Sequence, residues 1–273
     1  MKHLISAMIL ILMGLTSFGP HAATRVVVGA YHFPPIVSVS GEEGVSGLLT
    51  DVLTALNDSQ SDYHFEVLIT SSKRRYMDFQ QQHYDVIFFE SPHWSWQDIP
   101  HQESKPFLID EEVYVALHKT GRGQSFFTPI KQRKLVAMFG YHYGFANFST
   151  DEFVLRRRFD IVLSHSQQRN IKLILTDRPT LAEVAVISRS FLKRYFRDNP
   201  EDRNLLMISD KADQRYELGA LLRPDSPITV RKLEALLDPI IQRGSYQALV
   251  LEHGLQLPEN LAQTSGRRAG TAP

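Results

Sequence analysis

The chain has 273 residues, 30 Lys+Arg against 30 Asp+Glu, and no cysteine. That balance argues against a nucleic-acid binder, which needs a basic face. The missing cysteine removes both a disulfide framework and a lipid-anchor acceptor.

Residues 1–23 read as a secretory signal peptide: Lys2 and His3 form a short basic start, Ile5 to Leu15 is almost wholly apolar, and small residues surround Ala22-Ala23. The apolar run falls short of the ~20 residues of a membrane span, and no later segment approaches that length. A soluble protein of the periplasm is the expectation. The remainder, roughly 250 residues, is long enough for two modest lobes, each with its own core.

Residues 25–30 form an apolar, β-branched strand that runs into the loop Tyr31-His32-Phe33-Pro34-Pro35. A Gly-led amphipathic helix follows over 47–57, a strand over 64–69, a helix over 73–82 behind Ser72, and a strand over 85–89. This β-α-β-α-β order predicts parallel pairing with right-handed crossovers. After a Ser-, Pro-, His- and Trp-rich loop (90–106), a long strand over 107–117 leads out of the unit.

The pattern repeats. A strand over 134–138 enters the aromatic loop 139–145, and Ser149 to Glu152 starts a helix that runs to about Phe159. A strand over 160–163 comes next, then a helix over 166–175. Residues 171–175 satisfy the strand period equally well. Strand 181–187, helix 190–197 and strand 205–208 complete the second unit. An apolar strand over 216–222 and helices over 229–242 and 245–252 close the chain, before a polar tail expected to be disordered.

Charge follows the same division. Residues 24–116 carry 5 basic against 14 acidic side chains, residues 117–212 carry 17 against 9, and residues 213–273 carry 7 of each. Two tandem α/β units, with a terminal segment able to return to the first, predict a hinged two-lobe molecule. Its expected parts are 24–116 with 213–257, then 117–212, with 258–273 as the tail.

At this point the chain resembles periplasmic solute-binding proteins of the amino-acid-binding type, the extracellular partners of ABC importers. The likeness rests on Gly29 to Pro35, Gly47 to Leu53, Tyr84 to Ile87, Asp177-Arg178 with Leu181 to Ile187, Gln242 to Tyr246, and Glu252 to Leu255. It implies an α/β, type 2 periplasmic-binding-protein fold of two lobes. Each lobe would be a mostly parallel sheet flanked by helices, and two strands would form the hinge. The implied partners are a small-molecule ligand and an inner-membrane ABC permease or a sensor, with no nucleic acid, no cofactor and a monomeric state.

Two departures bear on the ligand. Amino-acid binders of this type carry a Thr-x-x-Arg segment after the third strand, whose Arg grips the ligand carboxylate. Here that region, Glu90 to Gln97, holds no Arg. The second-lobe loop reads Gly140-Tyr141-His142-Tyr143-Gly144 instead of a small Gly-Ser/Thr turn. Both argue against a standard α-amino acid and for another small polar or amphipathic solute.

Candidate ligand residues follow from position at the carboxyl ends of strands. Tyr31 and Phe33 can stack on a ligand or plug the lobe core. Arg74, whose spacing to Asp85 resembles that of an Arg in a subgroup of these proteins, can hold an anion at a helix start or sit on a solvated face. Glu90, Ser91, Trp94 and Trp96 stand at the cleft edge or cover the hinge. Tyr141, His142 and Tyr143 face them from the second lobe or pack their own loop. The eleven histidines are scattered and show no ligand pair at zinc spacing. No nucleophile elbow or phosphate-binding glycine loop is present. Binding without chemistry is the leading expectation. A periplasmic sensor or adaptor on the same fold is the alternative, and a dehydratase-like enzyme using Glu90, His93 or His142 is the third.

Overall fold

The computed structural model describes residues 22–41, 44–259 and 261; all but the last two residues of the expected signal peptide and nearly all of the expected tail lie outside them. The first lobe is built on β1 (Thr24–Ala30), the short hairpin β2 (Ser38–Ser40) and β3 (Gly44–Ser46), α1 (Leu48–Ser59), β4 (Tyr63–Ile69), α2 (Arg75–Gln80), β5 (Val86–Glu90) and β6 (Gln102–Glu103). β7 (Leu108–Leu117) leads to the second lobe. That lobe contains β8 (Leu135–Met138), α3 (Glu152–Arg158), β9 (Ile161–Ser164), α4 (Gln167–Leu175), β10 (Val184–Ser188) and α5 (Arg189–Asp198). β11 (Leu206–Leu222) returns to the first lobe, where α6 (Val230–Gln242) and α7 (Ser245–Glu252) end the fold.

β1 pairs in parallel with both β4 and β5, as the alternating order requires. β8 likewise pairs in parallel with β9 and β10. The two groups meet through β7 and β11, so the strand order is β4-β1-β5-β11-β7-β10-β8-β9. β11 lies antiparallel to β5 at one end and to β7 along most of its length. These two strands are the connection between the lobes.

β11 corrects the sequence reading, which divides it into strands at 205–208 and 216–222. The polar stretch between them stays extended because β7 supplies its backbone partners through Ala212, Gln214 and Arg215. Register shifts flank Ala212 and mark where the strand bends between lobes. α4 settles the ambiguity at 171–175 as helix: Ser166 caps it by accepting from Arg169 N, while Ile171 and Ile174 are buried. Order also extends past residue 257, since Pro258 is buried and Leu261 packs against the core.

Each lobe buries the apolar face of its sheet. In the first, Val26, Val28, Leu48, Val52, Leu56 and Leu233 are fully removed from water. α1 begins immediately after Gly47, whose φ of 113° and ψ of −172° belong to a region only glycine occupies easily. A Cβ there would lie 2.6 Å from the Pro35 carbonyl oxygen and 2.8 Å from that of Ile36. The glycine therefore lets the helix start dock under the Phe33–Val37 loop. Gly47→Ala should lower unfolding free energy by about 2 kcal/mol or more in urea titrations; a change below about 0.5 kcal/mol would contradict this packing.

Candidate functional site

The site forms where two loops meet, one after β1 and one after β8, both at the carboxyl ends of parallel strands. The first-lobe wall is organised by Arg75, the first residue of α2, which is 0 % exposed. Its Nη2 donates to Glu90 Oε1 at 3.1 Å, and Nη1 donates to the Ser72 carbonyl. Trp96 Nε1 donates to the same Glu90 oxygen at 3.0 Å. The guanidinium lies 4.5 Å from the Tyr31 ring centre and 4.3 Å from that of Tyr76. Burial pushes Glu90 above the ordinary carboxylate range, and Arg75 and Trp96 only partly pull it back. Burial acts downward on Arg75, but Glu90 and the two tyrosines outweigh it and leave the guanidinium raised.

This arrangement corrects the expectation for Arg74. Its side chain is 60 % exposed and points away from the cleft to pair with the buried carboxylate of Asp78 at 2.9 Å. The cleft guanidinium belongs to its neighbour. Trp96 and Glu90 are also corrected in place: they stand behind the wall, with Trp96 packed on Tyr76 and Phe79. Trp94 is the indole at the cleft.

Tyr31, Phe33 and Trp94 form the wall itself. Phe33 stacks on Tyr31 at 5.9 Å and meets Trp94 edge-on at 5.8 Å and Tyr141 edge-on at 5.4 Å. Ser91 lies beside Trp94 and caps the loop by accepting from His93 N at 3.4 Å.

From the second lobe, Tyr141 donates its hydroxyl across the cleft to the His32 carbonyl at 2.9 Å. His142 stacks on Trp94 at 5.9 Å, and its Nε2 lies 3.1 Å from Ser95 Oγ and 3.3 Å from Tyr76 Oη. Burial, with Arg75 adding repulsion, lowers His142 to about 3, so the ring is neutral; Tyr76 gives its one hydroxyl proton to the Trp94 carbonyl, which leaves Ser95 Oγ to donate to Nε2. Tyr143 is corrected to a core residue: it is 0 % exposed, accepts from Met138 N at 2.8 Å and stacks on Phe145. Gly140, at φ 75°, permits the approach of the lobes, because a Cβ there would sit 2.3 Å from Ser72 Oγ.

Residues on the connecting strands complete the site, and the sequence reading misses them. Asp213 accepts from Gly144 N at 2.7 Å and Phe145 N at 2.8 Å, which anchors the second-lobe loop. Gln214 donates to the His142 carbonyl. Glu112, on β7, is buried with Tyr216 Oη at 3.4 Å. Between the walls lies a cavity of about 10 Å³ reaching from Arg75 to Glu112 and Gln214. That is room for about one water, and nothing larger fits unless these side chains part. Trp94 and Gln214 line both this cavity and an open groove of about 620 Å³.

A two-lobe α/β molecule with crossing strands and a cleft at the strand ends also describes a set of solved structures. The chain has the type 2 periplasmic-binding-protein fold. A substrate-binding protein of an ABC uptake transporter from Streptococcus pneumoniae, solved with bound histidine, aligns at a TM-score of 0.64 and 14% identity, covering 84% of this chain and 91% of that one. A histidine kinase sensor domain with similarity to periplasmic binding proteins aligns at 0.64 and 15%, covering 88% and 99%. An ancestral amino acid-binding protein, a precursor of cyclohexadienyl dehydratase, aligns at 0.59 and 13%, covering 85% and 94%. No family model and no curated protein matches the sequence.

The contrast between neighbouring arginines is testable. Arg75→Ala leaves Glu90 buried without its cation and should cost about 3–5 kcal/mol of stability, whereas Arg74→Ala leaves Asp78 still bonded to Thr70 and His83 and should cost less, about 1 kcal/mol. Equal effects in urea unfolding would refute the placement. In NMR titrations the His142 ring should stay neutral from pH 7.5 down to 5; a midpoint near its ordinary value of 6.5 would show that it is not held in the closed cleft.

Proposed function

We propose that this chain is a periplasmic solute-binding protein that captures a small polar or amphipathic molecule by closing its lobes, without chemistry. The observation that carries the reading is the set of contacts across the cleft: Tyr141 to His32, His142 to Ser95 and Tyr76, and Ser72 Oγ to the Phe139 carbonyl at 3.2 Å. They join loops whose lobes are linked by only β7 and β11, an arrangement suited to hinge closure. The lobes take residues 24–116 with 213–257, and 117–212. The protein works as a monomer, and its closed form is what an inner-membrane ABC permease would read. The coverage of a sensor domain by nearly its whole length favours a second role, in which the closed form signals to a membrane kinase.

Binding rather than catalysis fits the titratable groups. Glu90 is held by Arg75 and Trp96, and neutral His142 is occupied as an acceptor between lobes. A standard α-amino acid remains disfavoured. A guanidinium does reach the cleft, from α2, yet Glu90 already holds it, so a ligand carboxylate would have to compete with that pair.

His142 also couples closure to pH. Its affinity for protons is depressed in the closed form, so the contribution is fully present above pH 6.5 and declines as pH falls toward 3.

A thermal-shift screen of amino acids, amines, organic acids and short peptides tests the reading. At 100 times its dissociation constant a ligand stabilises by about 2.7 kcal/mol, a shift of several degrees for a ligand of one class. Tyr31→Ala and Trp94→Ala should each weaken that ligand at least tenfold. Unchanged affinity in both variants would displace the site from this cleft.

A further inference from the structure

Glu112 is out of place among the charges of this molecule. It is 3 % exposed, lines the inner cavity, and its recorded hydrogen bond is the long one to Tyr216. Among the described residues no Lys or Arg pairs with it. Burial holds its carboxyl well above the usual range, and the charged groups that add to this, Asp110 and Asp213, are both carboxylates. Arg75, at the other end of the cavity, is committed to Glu90.

A buried carboxylate facing aromatic rings and other acids requires either a proton or a cation. The rings of Tyr216, Trp94, Phe33 and Tyr141 pack on one another beside it. Tyr216 meets Trp94 at 5.0 Å and Phe33 at 6.3 Å, and Phe33 meets Tyr141 at 5.4 Å. Parting these rings exposes several π faces around one point near Glu112, where a desolvated cation is attracted by each. Access is short, because Trp94 and Gln214 line both the cavity and the open groove of about 620 Å³.

We infer that the cleft takes a small organic monocation, an ammonium or methylated ammonium, seated among Phe33, Trp94, Tyr141 and Tyr216 with the Glu112 carboxylate as counter-ion. The inference rests on the solute-binding reading and names its ligand class. A polar substituent on the cation would extend past Trp94 toward Ser91 and His93 in the groove.

Calorimetric titration of the full-length protein with tetramethylammonium, choline and the neutral choline isostere 3,3-dimethylbutan-1-ol tests it. Choline or tetramethylammonium should bind, and the isostere at least tenfold more weakly than choline. Glu112→Gln keeps the side-chain shape and should weaken the cation at least tenfold without lowering the melting temperature. Equal binding of choline and its isostere, an unchanged affinity in Glu112→Gln, or no binding by either cation would overturn the inference. Tight binding of an anionic or neutral solute would overturn this inference alone, while no binding by any class would overturn the solute-binding reading as well.

Discussion

The Arg75 guanidinium and the Glu90 carboxylate are both withdrawn from water behind the first-lobe wall, and the geometry of the cleft follows from their pairing. Neither charge could be buried alone at tolerable cost. Glu90 ends β5, so its position is fixed by the sheet, and Arg75 must reach it from the first turn of α2. That requirement sets the rotation of α2 and places Tyr76 beside the guanidinium. Tyr76 Oη donates to the Trp94 carbonyl at 2.7 Å and stands 3.3 Å from His142 Nε2, so the pair reaches the opposite lobe through one further residue. Tyr31, stacked between the guanidinium and Phe33, carries the same constraint into the aromatic wall.

The second lobe meets this wall through a loop held by the connecting strands rather than by its own sheet alone. Asp213 grips the loop backbone and Gln214 holds the His142 carbonyl, both from β11. The second-lobe loop is thus tied to the strand that crosses between the lobes.

Most of the fold was legible because buried parallel strands read as unbroken β-branched runs, as in Val26-Val27-Val28 and Asp85 to Phe89. The aromatic loops were legible as strand ends. The choice between Arg74 and Arg75 was not. The buried face of α2 carries Arg75, Asp78 and Phe79, two charges in three, and hydropathy reads such a face as solvated. Glu112 and Gln214 were hidden for a related reason. They interrupt β7 and β11 with polar residues at the lobe crossing, where the periodicity that marks a strand gives way to the demands of the site. Trp96 and Tyr143 were misplaced because a ring at a strand end serves equally as wall or as filling behind it, and only packing separates the two.

Because the chain contains no cysteine, a single spin-label pair reports lobe separation without background. Labels at the exposed positions Asp58→Cys on α1 and Arg157→Cys on α3 span the cleft. Pulsed electron-spin distance measurements should give a short distance in the otherwise unaltered protein. The distribution should move to longer distances when Tyr141→Phe and His142→Ala together remove the bonds to His32, Ser95 and Tyr76. The same distribution with and without those bonds would contradict closure across this cleft.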